Sequence, residues 1–225
     1  NLHLKTPKIP SGEITNYPYL RKLSFTKKNI ILSTGMSNFK EIQQALKILT
    51  LEGLSKKKIT LLHCNTAYPT PYKNVNLNVL NELKKKFKLN VGYSDHTLGV
   101  EVSVAAVALG ASVIEKHFTL NKKWEGPDQK SSLDPKELKK LVFSIRNIDQ
   151  AMGSKVKRIT SSESKNVSFA RKSIVAKDKI KKGEKFTIEN ITVKRPGGGI
   201  SPMKWPLLIN KKSRFNFKKD EKIKR

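Results

Sequence analysis

Two phrases decide the fold: Asn90-Val91-Gly92-Tyr93-Ser94-Asp95-His96 and Ser112-Val113-Ile114-Glu115-Lys116-His117-Phe118. Each is a short apolar run that ends on a polar residue, an acid or base, and a histidine. Between them lies an Ala/Val-rich stretch in which Val102, Ala105, Ala106 and Leu109 recur at helical spacing. Strand, helix, strand at this spacing is a βαβ unit with parallel strands. Both histidines then fall at the C-terminal ends of neighbouring strands, where βα-barrels collect their catalytic groups. The chain holds only four histidines, so two in equivalent places carry weight.

The same rhythm extends upstream. Leu4–Pro10, Asn29–Ser33 and Ile59–Cys64 read as further strands, giving five with Asn90–Ser94 and Ser112–His117. Phe39, Ile42, Ala45, Leu46 and Leu49 mark one intervening helix, and Leu77, Leu80, Leu83 and Phe87 another. A last helix carries Leu138, Leu141, Val142, Ile145 and Ile148. Ser37-Asn38 and Asp134-Pro135 are helix starts, the second pairing a capping residue with proline at the first helical position. Five βα units fit either a small open sheet or the C-terminal part of an eight-stranded barrel. The texture changes near Ser154. Residues 154–167 are polar and read as a linker, and from Ser168 onward the pattern is β-like and turn-rich. The expected organisation is a barrel-type domain over 1–153, a linker over 154–167 and a small β domain over 168–225.

Bulk properties narrow the class. The 225 residues suffice for a real core. No run approaches the roughly 18 apolar residues of a membrane helix, and the start lacks the apolar region of a signal peptide. The single cysteine, Cys64, excludes an internal disulfide framework and fits a reducing cytoplasm. The formal charge of +28 is large, but only seven of the 46 basic residues are arginine. Nucleic-acid recognition favours arginine and stacking aromatics, and aromatics are 7% here. A lysine-rich solvated surface therefore reads better than a nucleic-acid-binding protein.

Residues two apart on a strand share a face. Ser94 and His96 point one way, as do Glu115 and His117. If the strands are neighbours, two imidazoles and a carboxylate converge, a set suited to a divalent metal acting as a Lewis acid. Spacing alone equally allows two histidines that merely hydrogen-bond at a polar barrel mouth. Lys8, Ser11 and Glu13 follow the first strand, and Ser33 and Thr34 the second. They could cradle phosphate or carboxylate, or simply cap helices. Thr66 and Tyr68 close the third strand and could orient a polar ligand. His63 reads as a packed residue and Cys64 as a core thiol. Asp128 lies in the loop after the last strand.

Taken in order, these phrases resemble the N-acetylneuraminate (sialic acid) synthase family, legionaminate synthases included. The resemblance is carried by Lys8-Ile9-Pro10-Ser11-Gly12-Glu13, Ile31-Leu32-Ser33-Thr34-Gly35-Met36, Leu62 to Pro69, Gly92 to Thr97, Glu115 to Thr119 and Gly126-Pro127-Asp128. Lys182-Gly183-Glu184 and Val193 to Gly197 resemble that family's antifreeze-like SAF domain. The resemblance implies the last five βα units of a (β/α)8 barrel followed by a SAF domain, with three earlier strands outside this sequence, and so an inactive fragment if taken alone. It implies condensation of phosphoenolpyruvate with an open-chain N-acetylated amino sugar, N-acetylmannosamine or a diacetamido relative, to a nonulosonic acid and phosphate. It assigns His96 and His117 to a divalent metal, Mn2+ or Mg2+. Glu13, Glu115 and Asp128 match catalytic carboxylates. Lys8, Ser11, Ser33 and Ser94 match phosphoenolpyruvate contacts, and Thr66 and Tyr68 match substrate-site positions. Arg195 and Phe169 match SAF residues that reach the partner's site in a domain-swapped homodimer. A dimerisation module without activity is the remaining alternative.

Overall fold

The computed structural model describes residues 5–224. The chain divides after Gly153 into two compact units. In the first, β1 (Lys8–Ile9), β2 (Ile30–Ser33), β3 (Ile59–Cys64), β4 (Asn90–Asp95) and β5 (Ile114–Lys116) form one parallel sheet in sequence order. Helices α1 (Tyr17–Ser24), α2 (Phe39–Leu51), α3 (Val79–Phe87), α4 (Glu101–Ala108) and α5 (Pro135–Met152) alternate with the strands. The five parallel βα units are those the alternating pattern implied, and their half-barrel arrangement is the one the family resemblance implied. The first strand is shorter than expected, and Leu4, its expected start, lies outside the described residues.

Alternation along each strand sorts the side chains. Ile9, Ile30, Leu32, Ile59, Leu61 and Val91 turn outward and pack with Leu20 of α1, Leu83 of α3 and Ile42, Ala45, Leu46 and Leu49 of α2. All are buried, and each of the Ile, Leu and Val side chains contributes about 1.5–3 kcal/mol by leaving water. Tyr93, Val102, Ala106 and Leu80 form a second apolar cluster around β4, α4 and α3. The intervening positions of the same strands, Lys8, Ser33, Cys64, Ser94 and Glu115, face the opposite side and are mostly polar. Register makes neighbours of Cys64 and Ser94, and of Ser94 and Glu115.

Helix starts follow the local chemistry. Asn38 caps α2 by accepting from the Lys40 and Glu41 amides, and Glu41 returns to the Asn38 amide. Asp134 does the same for α5 with Glu137, and Pro135 takes the first helical position. Such caps contribute about 1 kcal/mol each.

In the second unit, β6 (Ser173–Ala176) pairs antiparallel with β7 (Ile191–Lys194). Ile174, Ala176, Ile180, Phe186, Ile191, Leu208, Phe217 and Ile223 form its core, with α7 (Trp205–Leu208) on the rim. The polar run expected as a linker is helical from Ser161: α6 spans Ser161–Ala170. Its start is a capping box in which Glu163 accepts from the Thr160 amide and hydroxyl. The serine-rich texture that suggests a linker also supplies this cap, and the composition alone does not separate the two.

Candidate active site at the strand ends

The C-terminal ends of the five strands surround a cavity of about 300 Å³. Lys8, Ser11, Ser33, Thr66, Tyr68, Ser94, His96, Glu115 and His117 all line it. Nine of the residues singled out in the sequence are thus brought together by the parallel register. Asp128 lies just outside the lining, with Oδ2 3.5 Å from His117 Nδ1. Glu13 is not brought to the cavity. It ends a short 3-10 turn, and its carboxylate accepts from the side chain of Asn16. Phe169 and Arg195 belong to the second unit, where Phe169 is 75% exposed and Arg195 Nε donates to the Ala170 carbonyl at 2.8 Å.

At one side, Glu115 joins a cation and a hydroxyl. Lys8 Nζ stands 3.1 Å from Glu115 Oε1, and the Ser94 hydroxyl donates to the same oxygen at 2.7 Å. Ser33 is buried, and its hydroxyl has no hydrogen-bond partner among the described residues. An unsatisfied buried hydroxyl is costly unless something meets it, so Ser33 is a ready donor for an anionic oxygen. Behind it the β2–α2 loop comes close. The Gly35 amide donates to Ser11 Oγ at 3.0 Å, and Ser11 Oγ lies 3.2 Å from Cys64 Sγ. A Cβ at Gly35 would come within 2.8 Å of Ser11 Oγ and of Thr66 Cγ2, so only glycine admits this approach.

At the other side stand the imidazoles. His96 Nδ1 lies 2.5 Å from the Asn65 carbonyl. A carbonyl only accepts, so Nδ1 carries the proton and Nε2 of the neutral ring presents a lone pair. Ser94 Oγ is 3.3 Å from that Nε2. The serine has one proton and gives it to Glu115, so it leaves the Nε2 lone pair unused. Burial, foremost, holds the His96 pKa below its ordinary value. Asp128 Oδ2 stands near the His117 ring, but at 3.5 Å from Nδ1 it is beyond the usual hydrogen-bonding distance. An imidazole fixed through one nitrogen and open at the other fits a divalent metal. Among the described residues no three of His, Cys, Asp or Glu form a metal cluster. His96 and His117 are the two imidazoles that line the cavity. The Tyr68 ring lies 4.2 Å from His96 and 5.2 Å from His117, centroid to centroid. Burial above all, and the neighbouring Cys64, Asp128 and Glu115 charges, raise its phenol pKa.

The residues that sequence reasoning passed over sit one position out of phase. Asp95 and Lys116 point away from the cavity and form an ion pair at 2.8 Å, with side chains 0% and 4% exposed. The signal was present, since both sit inside the two quoted phrases, but alternation assigns them to the helix-facing side. Met36 also lines the cavity, and its sequence context gave no sign of it. His63 packs as expected on the outer face, with Nε2 donating to the Val75 carbonyl at 2.8 Å.

Fold and site together define a βα-barrel protein with a polar cavity at its strand ends, joined to a small β-rich domain. The chain belongs to the NeuB family, whose model matches residues 1–157, and a SAF domain matches residues 171–224. It is 55% identical to the N,N'-diacetyllegionaminic acid synthase of Campylobacter jejuni, over 99% of this chain and 67% of that protein. It is 41% identical to the enzyme of the same name from Legionella pneumophila, over 96% of this chain and 62% of that one. The crystal structure of a sialic acid synthetase from Leptospira borgpetersenii superposes with a TM-score of 0.67 at 34% identity, covering 73% of this chain and 57% of the other. The chain spans about three fifths to two thirds of the length of these curated relatives. No helix among the described residues is long and apolar enough to cross a membrane.

Proposed function

We propose that this chain carries the metal-binding and phosphoenolpyruvate-binding half of a nonulosonic acid synthase. The reaction joins C3 of phosphoenolpyruvate to the aldehyde carbon of an open-chain N-acetylated amino sugar. Water then adds at C2 of the resulting cation, and the C2–O bond to phosphate breaks. The observation that carries this reading is that one cavity gathers Lys8, Ser33 and Ser94 together with His96 and His117. Identity to the two legionaminic acid synthases favours a diacetamido sugar over N-acetylmannosamine.

Lys8, with Ser11, Ser33 and Ser94, binds and orients the phosphate and carboxylate of phosphoenolpyruvate. His96 and His117 would hold a divalent metal, Mn2+ in preference to Mg2+, which when bound would supply Lewis acidity to the aldehyde oxygen. Glu115, already bonded to Ser94 and Lys8, holds or moves a proton beside the reacting carbons. Asp128 stands near His117, and Tyr68 and Thr66 wall the sugar side. Glu13 is kept as a positioning residue, since it bonds Asn16 and does not line the cavity. Arg195 and Phe169 serve a partner's site in a domain-swapped homodimer, and a reducing cytoplasm suits the free thiol of Cys64.

The test is an assay of the full-length protein with phosphoenolpyruvate, Mn2+ and either N-acetylmannosamine or a 2,4-diacetamido hexose. Phosphate release should require both substrates, and mass spectrometry should find the nine-carbon acid. Phosphate release that ignores the sugar, or none at all, would sink the assignment.

A further inference from the structure

Asp95 precedes His96, and Lys116 precedes His117. The two are register partners across β4 and β5. Their ion pair lies behind the two imidazoles, and the Asp95 carboxylate is fully engaged. Oδ1 accepts from the Thr97 amide at 2.9 Å and the Thr97 hydroxyl at 2.8 Å. Oδ2 accepts from Ser103 Oγ of α4 at 2.6 Å and from Lys116 Nζ at 2.8 Å. Four donors fill the roughly four acceptor sites a carboxylate has. Lys116 Nζ also donates to the Thr97 carbonyl at 2.7 Å. The turn that carries His96 is thereby folded around the pair, with both backbone groups of Thr97 held. The His96 carbonyl is held in turn by the Thr70 amide at 2.8 Å.

We infer that Asp95 and Lys116 are positioning residues for the metal: their buried pair fixes the aim and separation of His96 and His117 while touching neither metal nor substrate. The inference rests on the metal site proposed above. A purely stabilising role accounts poorly for the arrangement. A buried ion pair is seldom more stabilising than an apolar pair of the same volume. What it supplies is geometry, because hydrogen bonds to β4, β5, α4 and the following turn leave one arrangement of all four. Partners of this kind behind metal-binding histidines change metal affinity by about 10–100-fold when altered. Each histidine directly follows a member of the pair, and Thr97, which follows His96, has both backbone groups held by it, so a change in the pair shifts the backbone that carries the ligands.

The experiment uses the full-length protein and Mn2+ alone as probe, with affinity read by calorimetry and folding by thermal melting. Single changes, Asp95→Asn and Lys116→Met, strand or unbalance a buried charge and melt early. The double variant D95N/K116M removes both charges together and should melt nearer the wild type. It is nonetheless expected to bind Mn2+ about 10–100-fold more weakly. At saturating Mn2+ its KM for phosphoenolpyruvate should match the wild type, which a general loosening of the fold would not give. Ser103→Ala, which strands no charge, keeps the test open if the double variant does not fold, and should weaken Mn2+ binding several-fold. Wild-type Mn2+ affinity in a folded double variant, or in Ser103→Ala where only that protein folds, overturns the inference and leaves the metal site standing. A wild-type protein that binds no Mn2+ overturns the metal site and the inference together.

Discussion

The imidazoles of His96 and His117 stand 5.1 Å apart, centroid to centroid, at an interplanar angle of 78°. His96 Nδ1 meets the Asn65 carbonyl at 2.5 Å, whereas the Asp128 carboxylate lies 3.5 Å from His117 Nδ1, beyond the usual hydrogen-bonding distance. The rings share one rim of the cavity because β4 and β5 are parallel and in register through Ser94 and Glu115.

His96→Ala and His117→Ala are each expected to lower Mn2+ affinity at least about 100-fold, since one imidazole of two is lost. Their melting temperatures should stay close to the wild type, because neither ring belongs to an apolar core cluster. Calorimetry with Mn2+ and a thermal melt check both parts. A variant that melts normally and binds Mn2+ unchanged removes that histidine from the site.

Lys8→Met should raise the KM for phosphoenolpyruvate by about tenfold or more, since a charge-assisted bond to an anion contributes roughly 1.5–3 kcal/mol. Its effect on stability should be small. The Lys8–Glu115 pair is about a third exposed on each side, and such pairs contribute about 0–1 kcal/mol. Steady-state kinetics at saturating metal, with a denaturant melt alongside, separates the two. A large stability loss at unchanged KM would make the pair structural.

Much of this was legible beforehand, for physical reasons. The period-2 alternation in Ser94-Asp95-His96 and Glu115-Lys116-His117 fixes which residues share a face, and the structure puts Ser94, His96, Glu115 and His117 on one cavity. The helix starts at Asn38 and Asp134 were legible because a cap is a local interaction. What was hidden is non-local. Asp95 and Lys116 meet only through register, and their partner Ser103 comes from the helix between them. Glu13 follows Ser11 closely, but the 3-10 turn carries it away from the lining. The helix over Ser161–Ala170 was masked by serines that suit a linker and a capped helix alike.

Gly92→Ala should destabilise the first unit by about 1–3 kcal/mol through overpacking. An added Cβ would lie 2.5 Å from the Val113 carbonyl oxygen and 2.6 Å from Leu62 Cδ2. The backbone oxygen belongs to the neighbouring chain segment and cannot swing aside. Gly12→Ala is the control, because nothing lies within 4 Å of its added Cβ, and its change should stay within about 0.5 kcal/mol. Chemical denaturation of both variants provides the comparison. Equal stabilities would mean that β4 shifts freely at Gly92.

The buried imidazole of His63 gives stability a pH dependence. Burial, foremost, lowers its pKa from the ordinary 6.5. Below that value the unfolded chain takes up the proton more readily than the folded one. Stability is therefore intact above pH 6.5 and falls as pH drops from 6.5 toward the folded-state value. His63→Gln can keep the donor to the Val75 carbonyl without titrating. Its stability should fall less steeply between pH 6.5 and 5, measured by urea unfolding at each pH. Parallel curves for the two proteins would show that His63 does not carry the effect.

Arg195 offers the sharpest test of the proposed domain-swapped dimer. Among the described residues its guanidinium bonds the Ala170 carbonyl through Nε, and the chain just after β7 runs into Gly197, Gly198 and Gly199. Phe169, next to Ala170, is 75% exposed, and so is most of Met203 at 88%. An arginine fork beside exposed apolar side chains suits recognition of an acylated sugar that another subunit holds. In the full-length protein, His117→Ala and Arg195→Ala should each be nearly inactive. Mixed and allowed to exchange subunits, they form dimers with one doubly defective site and one intact site. For random exchange in a two-fold dimer this restores about a quarter of the wild-type activity. Native mass spectrometry confirms the exchange independently. Confirmed exchange with no return of activity would mean that Arg195 acts within its own subunit or has no part in the reaction.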